Sequence, residues 1–247
     1  MNRIASANEV NQQVYGKNYG ISGSDKLQKQ LKTDDSRKYL GRIFLLTLIA
    51  DLYATPEVIW HLTIWTWILH TVAFNIPISS YPNLARLTHG SSFNGAFSLA
   101  ATYCLTLYAN PTMEFDLAPK GRPDWMIYLR AFWLHYFPVI AVMLDMKINK
   151  MAFQTLYQYF ENWSAGGLDY KYPLGILTCF GSIAMSLIWE MVNGDPSGTY
   201  NITSMPPSFP LLGTTSATEQ FVLYSKIIGT FGAVMSYFFI LRPAVYN

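Results

Sequence analysis

Apolar positions in this chain gather into runs close to the length of about 20 residues that a helix needs to cross a hydrocarbon core. Five such runs stand out: Val58 to Phe74, Asn94 to Asn110, Trp125 to Asp145, Tyr172 to Val192 and Thr218 to Ile240. The first lies inside a longer apolar stretch from Arg42 to Ile78, which Thr55-Pro56-Glu57 divides. That tripeptide reads as a helix start, with a cap, a proline in the first turn and an early acid. The part before it, Ile43 to Tyr53, is too short to span alone and carries Asp51. It reads either as a re-entrant or interfacial segment, or as the first half of one long kinked helix.

Local signals support the later runs. Asp124 stands where an N-cap belongs, and Pro173 falls in a first turn. Ser216 and Glu219 are in capping-box register. Gly229, Gly232, Ala233 and Ser236 form a small-residue face suited to close helix contact. Between the third and fourth runs, Phe153, Leu156, Tyr157, Phe160 and Trp163 recur at helical spacing beside Gln154, Gln158 and Glu161. That pattern predicts an amphipathic, interfacial helix over about 150–163. The resulting expectation is an all-α fold, a polytopic transmembrane helical bundle of five spans, with a sixth short or re-entrant segment as the open alternative. Residues 1–41 form a polar, basic N-terminal arm and residues 42–247 the transmembrane helical domain.

Composition agrees. Hydrophobic residues make up 51% of the chain and charged residues 13%, about half the charged fraction usual for a soluble domain. The net charge of +2 provides no basic field for nucleic acid. Eight of the seventeen Lys and Arg lie between Arg3 and Arg42. With five spans, Lys120 and Arg122 join the arm on one side, while Arg86, Lys147, Lys150, Lys171 and, at the end of the fifth run, Arg242 face the other. The positive-inside rule then puts the arm on the matrix or cytoplasmic side. The arm contains neither the apolar core of a signal peptide nor the acid-free pattern of a transit peptide, so it is expected in the mature protein. The sequons at Asn162 and Asn201 fall on opposite sides of the fourth run, so at most one is usable. Cys104 and Cys179 lie in apolar runs and read as packing residues.

Ionisable residues within spans are the first places to look for function. Arg130 and His135 lie in the third run; Arg130 is within reach of the interface by snorkelling. His135 precedes Pro138, which frees the carbonyl near Leu134. Asp51, Glu57, Asp145 and Glu190 fall near span ends and read as solvated or salt-bridged. His61 and His70, about 13 Å apart on an ideal helix, cannot share one metal. Trp60, Trp65 and Trp67 read as an interface belt or lipid-facing stripe. No cofactor is expected; a bound structural lipid suits the apolar faces.

Phe44-Leu45-Leu46-Thr47-Leu48-Ile49, the run Trp133-Leu134-His135 through Asp145, the tract Tyr108 to Pro119 and Trp189 together resemble the androgen-induced-gene family of multi-pass membrane hydrolases. That family acts on fatty acid esters of hydroxy fatty acids through an intramembrane Thr and His. The resemblance, over most of residues 42–200, implies Thr47 as nucleophile and His135 as its base. Here a polar arm stands where the family has an extra span, and Asp51 falls one residue later than the family's acid.

The reading favoured by the arm is different. An arm of that composition carries too little apolar surface to fold alone, so Lys26, Lys29, Lys32, Arg37 and Lys38 are expected to bind a partner subunit. The chain is therefore expected to be a non-catalytic accessory subunit of a larger membrane complex, such as a respiratory or ATP synthase assembly of the mitochondrial inner membrane, with the endoplasmic reticulum as the alternative location. Lipid-ester hydrolase is the alternative function, and transporter or channel component the third.

Overall fold

The computed structural model describes residues 35–162 apart from 119, residues 181, 183, 184 and 187–192, and residues 217–246. Among these residues the fold is helical throughout, without strands. Helix α1 spans Ser36–Ala54, and a 3-10 turn at Pro56–Trp60 leads into α2, Leu62–Asn75. The long α3 covers Pro82–Ala109, and the short α4 covers Met113–Leu117. Helices α5, Asp124–His135, and α6, Phe137–Ile148, form a bent pair, followed by α7 at Lys150–Asn162. Helix α8, Ala217–Ser236, continues through a π-helical turn at Tyr237–Leu241 into α9, Arg242–Tyr246. The runs expected at Tyr172 to Val192 and along 1–34 lie largely or wholly outside the described residues.

Among the described residues one helical stretch, Glu219–Val245, is long and apolar enough to cross a membrane, and Asp124–His135 with Phe137–Ile148 is so as a pair bent by 44°. The bend falls where Pro138 withholds an N–H from the turn before it. At Thr55-Pro56-Glu57 the expected α-helix start is instead the 3-10 turn, and Thr55 makes no side-chain cap. The α-helix begins only at Leu62, leaving α2 with 14 residues, about 21 Å long at 1.5 Å per residue. Residues 43–53 belong to a helix that starts earlier, at Ser36, and runs for 19 residues.

The helices pack around one main core, with two smaller apolar clusters. Phe44 on α1 lies 4.7 Å from the ring of Trp67 and 5.2 Å from that of Phe74 on α2, and 5.6 Å from Phe137 on α6. Trp67, expected to face lipid or the interface, is fully buried in this cluster. The reason is spacing: Thr63, Thr66, Trp67, His70, Ala73 and Phe74 fall three and four apart and all turn inward. The apolar face of α7, expected at a membrane interface, is occupied by the chain's own core through Phe153, Leu156 and Tyr157.

Two ion pairs fix the direction of α1. At its start, buried Arg37 meets Asp145 at 3.1 Å and donates to the carbonyls of Ala73 at 2.7 Å and Ile76 at 3.2 Å, closing the end of α2. Near its end, Asp51 receives Arg130 Nε and Nη2 at 2.9 and 3.0 Å. Arg130 is therefore paired inside the bundle, not extended to the interface. Because α1 traverses the bundle, Arg37 arrives at the end that carries Lys147 and Lys150, where Arg86 lies 5.0 Å over Tyr157. Lys120 and Arg122 precede α5 at the opposite end. The charge grouping expected from five spans is thus redrawn: Arg37 joins Lys147, Lys150 and Arg86.

Candidate functional site

The site forms where α2, α3, α4 and α5 meet. Thr63 comes from the first turn of α2, directly after the extended residue His61 that ends the 3-10 turn. His135 closes α5 just before the bend. Its Nδ1 lies 2.8 Å from the carbonyl oxygen of Ala131. A carbonyl can only accept, so Nδ1 carries the proton and Nε2 presents its lone pair. Thr63 Oγ1 stands 3.0 Å from Nε2 and donates to it. This is the arrangement in which a base polarises a hydroxyl nucleophile.

The imidazole is held from two further directions. Tyr103 of α3 stacks on it with ring centroids 3.6 Å apart and planes within 5°. Glu114 of α4 places Oε1 3.8 Å from Nδ1, too far for a hydrogen bond. Burial pushes the Glu114 carboxyl above its usual range, opposed by a hydrogen bond with Tyr103 and by the nearby Arg130 guanidinium.

Thr63 and His135 form a wall between two cavities. The larger, about 200 Å³, is lined by Leu99, Thr102 and Thr106 of α3, Phe221, Val222 and Ser225 of α8, and Leu187 and Trp189. The smaller, about 30 Å³, has Asp51, His61, Glu114 and Arg130 around it beside apolar Val58, Ile64, Met113 and Leu134. It has room for about one water molecule, which needs two to four polar partners.

The expected site residues are distributed differently. Thr47 is not hydrogen-bonded to His135; its hydroxyl oxygen accepts from the indole N–H of Trp133 at 3.3 Å. An indole N–H has no lone pair to take a proton, so this contact does not supply Thr47 with a base. Arg37 is committed inside the chain, whereas Lys38 is exposed and pairs with Asp35 at 2.9 Å. Lys26, Lys29 and Lys32 lie outside the described residues. Gly229, Gly232, Ala233 and Ser236 sit on the face of α8 against α3, where Ser236 Oγ donates to Asn94 Oδ1 at 2.9 Å. Among the described residues, no group of three or more His, Cys, Asp or Glu is placed to hold a metal ion.

Thr63 is inconspicuous in the sequence, since a lone hydroxyl in an apolar run resembles an ordinary packing residue. The three-and-four spacing that places it on the face of Trp67 and His70 is the signal that marks it as inward-facing. Comparison with family models, with curated proteins and with solved structures finds no match for this chain.

Proposed function

We propose that this chain is a multi-pass helical membrane protein serving as an accessory subunit of a larger membrane assembly. The observation that carries the membrane reading is an inverted surface. Leu46, Trp125 and Phe239 are 66%, 63% and 70% exposed, while Arg37 and Asp145 are 3% and 1% exposed. A protein in water does the reverse, and an apolar exterior of this extent needs either lipid or another chain against it. In this reading α1, α2 with its 3-10 turn, α3, the bent pair α5–α6, the run Tyr172 to Val192 and α8 are the membrane segments. The basic end faces the matrix or cytoplasm, and the arm with Lys26, Lys29 and Lys32 reaches a neighbouring subunit from there. An organellar inner membrane is the setting this arrangement fits best.

Extraction in mild detergent followed by native electrophoresis tests both parts. The chain should resist alkaline carbonate and migrate far above its own mass plus micelle. Release by carbonate would overturn the membrane reading, and a lone micelle-sized band would overturn the subunit reading.

The Thr63–His135 hydrogen bond favours a second reading, a lipid-ester hydrolase. Thr63 Oγ1 would attack an ester carbonyl while His135 Nε2 takes its proton and returns it to the departing alcohol. A water in the small cavity would then cleave the Thr63 acyl ester, with His135 again as base. A hydroxyl-directed activity probe should label the protein, and Thr63→Ala and His135→Ala should abolish labelling while Thr47→Ala keeps it. Labelling that survives in Thr63→Ala would remove this reading.

A further inference from the structure

We infer that the larger cavity is a binding site for one acyl chain of a lipid with an acidic head, held between α3, α8 and residues 187–190. The inference rests on the membrane reading and requires no chemistry at Thr63. Its walls are apolar for a specific reason. Thr102 Oγ1 donates to the Ser98 carbonyl at 2.8 Å and Thr106 Oγ1 to the Thr102 carbonyl at 3.0 Å. Both hydroxyls are thus turned back onto α3, and their methyl groups join Leu99, Phe221 and Val222 around the space. A dry cavity of about 150 Å³ accepts benzene, so a volume of about 200 Å³ accommodates a chain segment of roughly eight carbons.

Two polar features show where the head lies. Ser225 Oγ is buried at the cavity and has no hydrogen-bond partner among the described residues, so it can donate to the first carbonyl or ester oxygen of a chain. One residue on, at the open side of the cavity, Lys226 pairs with Glu190 at 2.9 Å and remains 46% exposed. Lys226 lies seven residues from Glu219, where the span begins, about 10 Å along the helix. That places a cation just inside the headgroup level, where a carboxylate or phosphate competes with Glu190 for it. An apolar channel, one unmet hydroxyl and a rim cation follow the order of tail, carbonyl and acid in a lipid.

The full-length chain in nanodiscs would be irradiated with two probes, palmitic acid and phosphatidylglycerol, each carrying a mid-chain diazirine. Mass spectrometry would then locate the adducts. Adducts at Leu99 and Val222 should exceed those at the outward residues Leu46 and Phe231 by at least tenfold. Ser225→Trp should fill the cavity and remove the Leu99 and Val222 adducts, while Leu46 and Phe231 stay labelled and report that the variant is still embedded. Because Ser225→Trp fills space inside the bundle, the double variant Glu190→Gln with Lys226→Gln is run beside it. That variant keeps a neutral hydrogen-bonding pair and should lower cavity adducts several-fold. Labelling by palmitic acid alone assigns a free carboxylate head, by phosphatidylglycerol alone an anionic phospholipid, and by both the shared acid. Adducts confined to Leu46 and Phe231 would overturn the site while leaving the membrane reading intact. Cavity adducts unchanged in both variants would overturn it as well.

Discussion

The indole N–H of Trp67 donates to the carbonyl of Leu134 at 2.8 Å, and that carbonyl is the one Pro138 leaves without a helical partner. A proline has no N–H to give to the residue four before it, so a buried acceptor would otherwise stand alone at the bend. Trp67 thereby joins α2 to the bent pair at its weakest point. Trp67→Phe should cost at least about 1–3 kcal/mol, the penalty of an unsatisfied buried carbonyl, beyond the lost packing. In a Pro138→Ala background the new amide at 138 can satisfy Leu134, so the same change should cost less. Thermal unfolding of the four proteins in detergent measures this coupling, and strict additivity would show that Trp67 acts through packing alone.

The buried Arg37–Asp145 pair should behave asymmetrically. Its desolvation offsets much of its attraction, so the pair as a whole adds little, but either partner left alone is costly. Asp145→Asn strands the Arg37 guanidinium and should lose about 3–5 kcal/mol. Arg37→Met combined with Asp145→Leu should be less damaging than Asp145→Asn. The recovery will be incomplete, because Arg37 also donates to the Ala73 and Ile76 carbonyls. Melting temperatures of the variants decide this; a double variant as unstable as Asp145→Asn would contradict it.

What could be read from the sequence was whatever one helix carries by itself. The small-residue set of Gly229, Gly232, Ala233 and Ser236 is visible because its spacing lies within α8, and the freed carbonyl near Leu134 is visible because Pro138 lies four residues away. The partners of these groups are not, since Asn94 and Trp67 come from distant segments that only packing brings close. The first turn of α1 is hidden in the sequence because Ser36, Arg37 and Lys38 look like the end of a polar arm. Once α1 begins at Ser36, Arg37 enters the core and finds Asp145 at a separation of 108 residues. Thr47 and His135 each stand in a helix as expected. Which hydroxyl meets the imidazole depends on the relative positions of α1, α2 and α5, which no single helix encodes.

Two glycines separate close packing from mere proximity. A Cβ on Gly232 would stand 3.1 Å from the backbone oxygen of Phe97 and 3.2 Å from Ala101 Cβ, whereas one on Gly41 would stand 2.7 Å from the Asn75 side-chain amide nitrogen. The shorter contact is the milder one, because Asn75 is exposed and its side chain can swing away. Phe97 O belongs to a helix and cannot move by itself. Gly232→Ala should therefore destabilise by about 1–3 kcal/mol, the usual cost of overpacking. Gly41→Ala should be neutral, or gain up to about 1 kcal/mol from helix propensity. Equal melting temperatures for the two variants would mean that α3 and α8 yield more readily than this contact implies.

Glu114, in the connection between α3 and α5, predicts a pH dependence with a definite sign. Burial raises its carboxyl above the ordinary 4.5, so the folded chain holds a proton there that the unfolded chain has already released. Stability must then fall as pH rises from the unfolded value toward the raised folded one, and level off above it. The sign is opposite to that of a carboxylate held by a salt bridge, which loses stability on acidification. Glu114→Gln keeps a neutral hydrogen-bonding group beside Tyr103 and His135, so it should abolish this part of the profile and be the more stable protein above the folded value. Melting curves from mildly acidic to neutral pH on both proteins provide the test. A parallel offset between the two profiles would mean that Glu114 does not titrate in this range and that its carboxylate stays charged beside Arg130.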